Sequence, residues 1–373
     1  MNISETLVLS TISSIGGCFW LWNEPVPGYE PFIFTMLAIV SLVALTLRSQ
    51  IPSSDSAFTR CNLRERQMLV TRDVFAYTKV DDNEVNVIGE NIQYLDNGVK
   101  SDILLIFLHG LGLDANDFRH YMEVSKYRCL APTLYGFNRN ENILISLSID
   151  AHTAILTSFI NSNIEKITPK TVILVGFSIG ADMVQYIVKA NQKLAKKIDG
   201  MLLLDGNINH STCTISNRFA LINPKNHNNV VEIVRSISEG TENLSEWLQV
   251  HQYLVKVFSK FKNRTPILAR FAKETSERFD SNATNGLDYF ISNFQATTDK
   301  VRNVQYIFSG ESNNKKALND FKALILSDIN IASAYSDDSI KIENNMKHFD
   351  LIEYVNLNSF IDQTISKSQV LPS

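Results

Sequence analysis

Apolar and polar positions along the chain fall into three patterns. The first fifty residues hold two uncharged stretches, Thr6 to Trp22 and Pro31 to Leu47. Farther on, short β-branched or leucine-rich runs alternate with longer segments of helical period. Between Gly206 and about Arg302 the short runs vanish, and helix-length segments such as Asn228 to Ser238 and Ser245 to Phe261 take over. The short runs predict strands at Val85 to Val87, Ile92 to Leu95, Ile103 to Leu108, Tyr127 to Ala131, Val172 to Val175, Met201 to Leu204, Val304 to Phe308 and Ile340 to Ile342. Alternation of this kind predicts an α/β fold, a mostly parallel central sheet with helices on both faces. The chain then divides into an N-terminal anchor (1–48), a polar linker (49–72), a core (73–206 and 303–373) and a helical lid inserted at 207–302.

The stretch from Pro31 to Leu47, PFIFTMLAIVSLVALTL, runs seventeen residues without a charge, close to the ~20 that cross a bilayer. It predicts a transmembrane helix. The earlier stretch is richer in Ser, Thr and Gly and fits the first arm of a helical hairpin turning at NEPVPGYE. A cleaved signal peptide fits less well, because MNISE carries no positive charge and no small-residue cleavage site follows. Arg48 is the first basic residue, and Arg60, Arg64 and Arg66 come after it. The positive-inside rule places that flank, and the body behind it, in the cytoplasm.

Composition narrows the function classes. Of 373 residues 45% are hydrophobic, ample for a buried core. A net charge of -4 without basic clusters argues against nucleic acid as a partner. Cys18, Cys61, Cys129 and Cys213 show no C-x-x-C spacing, so they read as reduced structural thiols and neither a zinc site nor a disulfide framework is implied.

Two motifs carry chemistry. Val172 to Gly180, VILVGFSIG, is an apolar run entering G-x-S-x-G, with a helix-forming stretch from Ala181. A sharp strand-to-helix turn leaves no room for side chains beside the serine, so glycines flank it and Ser178 projects as a nucleophile. The helix that starts there directs its N-terminal dipole at a developing oxyanion. The second motif, Ile103 to Gly112, is an apolar run ending in His109-Gly110-Leu111-Gly112. Acyl transfer needs two backbone N–H groups converging on one carbonyl oxygen, and Leu111 and Ile179 are the natural pair for that oxyanion hole. His109 reads as support for its loop.

With these motifs the chain resembles the α/β-hydrolase superfamily from about residue 84 onward. Ala131-Pro132-Thr133-Leu134-Tyr135-Gly136-Phe137 is similar to a segment of that family, with Thr133 where Asp is usual and Asn138-Arg139-Asn140 in place of a Gly-x-Ser ending. The resemblance implies the chain order nucleophile, acid, histidine. His348 lies after the last predicted strand and before a helix from about Asn356, which gives it the role of base. His120 and His152 precede the serine, and His210, His227 and His251 fall in or beside the insertion. The family's common acid position, after the penultimate strand, holds Asn313. A minority of members carry the carboxylate one strand earlier, and Asp205 in LLLDG stands there. Asp205 is the first candidate for the acid, with Glu311 the alternative.

The resemblance implies a serine hydrolase acting through an acyl-Ser178 intermediate on a carboxylic ester or acyl thioester, with no metal or organic cofactor required. A membrane segment makes lipid-like acyl substrates accessible, and Trp247, Tyr253, Phe258 and Phe261 in the insertion could line an apolar acyl pocket or form the insertion's own core. An acyltransferase with the same intermediate, and a catalytically silent hydrolase fold serving as a membrane-bound scaffold, are the competing readings.

Overall fold

The computed structural model describes residues 63–76, 83–137, 146–221, 265–280, 286–327 and 339–370. The two apolar N-terminal stretches, the segment Asn138-Arg139-Asn140 and the insertion's four named aromatics lie outside these residues. Among the described residues no helix is long and apolar enough to cross a membrane.

Eight strands form one sheet: β1 (Arg64–Leu69), β2 (Asn91–Asp96), β3 (Ile103–Leu108), β4 (Arg128–Pro132), β5 (Thr171–Phe177), β6 (Gly200–Leu204), β7 (Asn303–Ser309) and β8 (Ile340–Glu343), in the order β1-β2-β4-β3-β5-β6-β7-β8. Only the β1–β2 and β2–β4 pairings are antiparallel. β3, β5 and β6 read as unbroken apolar runs because helices cover both faces of the sheet.

Two elements differ from the pattern reading. β1, RERQML, falls inside the predicted linker; an exposed edge strand needs no apolar run, and Arg66 instead reaches the buried carboxylate of Asp96 at 2.8 Å. The predicted strand at Val85 to Val87 is a single 3-10 turn, Glu84–Val87. Glu84 explains the turn, since its buried carboxylate accepts the Ser148 N–H at 2.5 Å and pairs with Arg270 at 2.9 Å, contacts that an extended strand would forgo.

The helices are α1 (Arg119–Val124), α2 (Ile149–Ile167), α3 (Ile179–Ala190), α4 (Gln192–Ala195), α5 (Thr214–Ala220), α6 (Thr265–Arg278), α7 (Leu287–Thr298), α8 (Ser312–Ser327) and α9 (Tyr354–Val370). The described residues of 207–302 contain no strand. Their helices split between two places. α5 and α6 pack together, and α6 is tied to the start of α2 by Glu274 accepting the Ile149 N–H at 2.8 Å and by Arg278 with Asp150 at 2.6 Å. α7 packs instead on α3, where Lys189 reaches Ser292 and Asn293.

Phe290 and Phe294 of α7 meet Tyr306 of β7 and Phe321 of α8 at centroid separations of 5.0 to 5.7 Å. Full burial of each such ring contributes roughly 1.5–3 kcal/mol, so α7 belongs energetically with the sheet. β7 is buried despite its polar residues because Asn303 and Gln305 bond to Thr364 of α9 at 2.7 and 2.9 Å.

Candidate active site

The site grows from the turn after β5. Ser178 is the N-cap of α3 with φ 55 and ψ -128, a left-handed conformation that a non-glycine residue holds only when its surroundings impose it. Its N–H donates to Leu204 O at 2.7 Å, and its carbonyl accepts the Ala181 N–H at 2.8 Å. The flanking glycines are required by contact. A Cβ on Gly176 would stand 2.5 Å from Ala181 Cα, and one on Gly180 would stand 2.2 Å from Leu108 O. Both obstacles are backbone, so Gly180→Ala is expected to lower stability by about 3 kcal/mol or more, read as an earlier urea midpoint; an unchanged midpoint would show that the turn tolerates a side chain.

The loop after β3 closes against this turn. A Cβ on Gly110 would sit 3.1 Å from Ser178 Cβ, so the absence of a side chain lets the loop abut the serine and places Leu111 on the wall of the same cleft. Ile179 is the first residue of α3, and its N–H lies among those that a helix leaves without an intrahelical acceptor. His109 is 1% exposed, donates from Nδ1 to Gly110 O at 2.8 Å and accepts the Leu134 N–H at Nε2 at 3.0 Å. Both ring nitrogens thus join the loops after β3 and β4. His152 is buried on α2; desolvation, with His109 and Arg270 nearby, pushes it down to about 3 and keeps it neutral.

Asp205 directly follows β6, with φ 50. Its Oδ1 accepts the Ser309 N–H at 2.7 Å and the Asn314 amide at 2.8 Å, while Oδ2 stands 2.6 Å from His348 Nδ1. A carboxylate on Nδ1 takes the Nδ1–H and leaves Nε2 as the basic nitrogen. The ring packs on Phe177 at 4.6 Å between centroids. Glu311 lies beside this pair but bonds differently: its carboxyl accepts the backbone N–H of His348, and burial raises its pKa, opposed chiefly by the charge of His348.

Ser309 and Asn314 escape sequence reasoning. Asn313, at the family's common acid position, turns its amide to Ser211 O at 3.1 Å, and its neighbour Asn314 holds Asp205.

Leu111, Ser178, Asp205, Glu311 and His348 line one cleft of about 260 Å³, and Thr212, Cys213 and Phe349 are also on its walls. Cys213 is buried and its thiol pushed up by desolvation, which suits a wall and not a nucleophile. Among the described residues no group of three His, Cys, Asp or Glu side chains is placed to hold a metal ion. Chemically, the cleft brings together a hydroxyl on a strained turn, an imidazole oriented by a carboxylate, and backbone N–H groups at a helix start.

No protein-family model matches the sequence. Solved structures do. The peroxisomal α/β-hydrolase Lpx1 of Saccharomyces cerevisiae has a TM-score of 0.52 at 12% identity, covering 84% of this chain and 92% of that one. A thermophilic esterase of Thermogutta terrifontis has 0.50 at 13%, covering 82% and 100%. An epoxide hydrolase of Vigna radiata has 0.50 at 17%, covering 82% and 98%. At these identities the likeness is one of fold.

Proposed function

Proceeding from the α/β-hydrolase fold that this chain has, we propose that it is a membrane-anchored serine hydrolase that cleaves lipid-like carboxylic esters or acyl thioesters through an acyl-Ser178 intermediate. The observation that carries the reading is the 2.6 Å contact of His348 Nδ1 with Asp205 Oδ2 in the cleft that holds Ser178.

His348 Nε2 takes the Ser178 proton as Oγ bonds to the acyl carbon, and the Leu111 and Ile179 amides hold the resulting oxyanion. Collapse breaks the bond to the alcohol or thiol, which leaves with the proton from Nε2. Water then gives its proton to Nε2 and attacks the acyl carbon; the acid departs and the proton returns to Ser178 Oγ. Serine at the turn speaks for ester chemistry over the epoxide opening named for one structural neighbour. The oriented imidazole favours an enzyme over a silent scaffold. The apolar run at 31–47 and the arginines behind it support an anchor with the catalytic body on the cytoplasmic side.

The test is hydrolysis of p-nitrophenyl esters and acyl thioesters of graded chain length by the detergent-solubilised full chain. The reading expects turnover that rises with acyl length and disappears in Ser178→Ala. Turnover within tenfold of wild type after the substitution would refute it.

A further inference from the structure

Asp182 lies four residues beyond Ser178 on α3 and is 1% exposed. No described Lys or Arg forms an ion pair with it. Its carboxylate instead accepts both the backbone N–H of Asn207, at 3.0 Å, and the Asn207 side-chain amide, at 2.5 Å. Asn207 is two residues past Asp205. The glycine between them is pressed on the same helix: a Cβ on Gly206 would stand 3.0 Å from Asp182 Oδ1 and 3.1 Å from Ala181 Cβ. The turn thus begins at Asp205, held in a left-handed conformation by β7 through its N–H to Ile307 O at 2.8 Å, and ends on Asp182.

A buried carboxylate without a cation is destabilising, and a neutral side chain would fill the position at lower cost. Its charge is therefore explained by what the charge holds. We propose that Asp182 is a positioning residue of the hydrolase: ionised, it clamps Asn207, fixes the Asp205–Asn207 turn and so keeps Asp205 aimed at His348, and reaction at Ser178 requires that clamp. The proposal rests on the reading of Ser178, His348 and Asp205 as the reacting set.

Burial pushes the Asp182 carboxyl up to about 7, while the two Asn207 bonds pull it down. The titratable groups facing it are Tyr186 of α3, Cys213 of the loop after β6 and Tyr306 of β7, all driven upward by burial and hence neutral at that pH. Above about 7 the carboxylate accepts both bonds. Below it, one oxygen becomes a donor and loses one of them. Loss of the clamp and protonation of His348 both act on the acid side, so two protons shut the site down as pH falls.

The experiment is the rate of fluorophosphonate labelling of Ser178 in the full-length protein from about pH 5 to about pH 9, for the wild type, Asp182→Asn and Asn207→Ala. The wild-type acid limb is expected to approach a hundredfold loss per pH unit; Asp182→Asn, which lacks the ionised clamp at every pH, is expected to label at least tenfold more slowly across the range, with an acid limb of about tenfold per pH unit from the single ionisation left. Asn207→Ala removes one bond to the carboxylate and is expected to move the second inflection to higher pH. It also reports if Asp182→Asn fails to fold. Acid limbs of equal steepness in the wild type and Asp182→Asn, or an unmoved inflection in Asn207→Ala, overturn the proposal alone. No Ser178-dependent labelling of folded wild type at any pH overturns the reading beneath it.

Discussion

Asp205→Asn is expected to lower kcat by about 10⁴-fold with little change in KM, whereas Glu311→Gln stays within about tenfold of wild type. The difference lies in which hydrogen each carboxylate holds. Asp205 Oδ2 faces the ring nitrogen Nδ1 of His348 at 2.6 Å, and its Oδ1 is fixed by Ser309 and Asn314. An asparagine can keep an oxygen on Ser309 and Asn314 only by turning its NH₂ toward Nδ1. Nδ1 must then accept, Nε2 carries the hydrogen, and no base remains for the serine. Glu311 meets His348 through the backbone N–H, and a glutamine oxygen accepts that bond equally well. Kinetics of the two variants on one ester decide the matter. A large loss in Glu311→Gln with Asp205→Asn near wild type would move the acid role to Glu311.

Ser178→Ala is the second large effect, a loss of about 10⁶ in kcat, because the acyl-enzyme can no longer form and water must attack the ester directly. Cys213 lines the same cleft but cannot substitute, since burial keeps its thiol protonated. Residual turnover should come only from the oxyanion donors and substrate binding. Single-turnover assays of Ser178→Ala check this, and a kcat within tenfold of wild type would show that the cleft reacts by another route.

Much of this site is legible in the sequence because its parts are local. A strand, a turn without room for side chains and a helix must follow one another in the chain, so GFSIG announces both Ser178 and the Ile179 amide, and HGLG announces Leu111. β3, predicted as Ile103 to Leu108, is found with the same ends because a strand covered on both faces has to be apolar throughout. Asp205 and His348 are placed through family order, a long-range rule that composition cannot supply, and the structure brings them together.

What the sequence hides is whatever depends on a partner far along the chain. β1 is written in charges because it is an edge with Asp96 behind it. Glu84 lies in a 3-10 turn because Arg270, from the inserted segment, meets it. Asn314 and Asp182 look like ordinary helix residues until the fold sets them against Asp205 and Asn207. The two apolar N-terminal stretches and the insertion's aromatics lie outside the described residues, so anchoring and acyl-chain preference rest on sequence pattern.

The most direct test of the central claim is fluorophosphonate labelling of the detergent-solubilised protein and of Ser178→Ala, read by intact mass with circular dichroism to establish folding. One adduct on the wild type and none on the variant is the predicted result, since only a serine activated by an adjacent base reacts at a useful rate. A folded wild type that takes up no reagent, or a variant that labels as well as wild type, would contradict the assignment of Ser178 as the nucleophile.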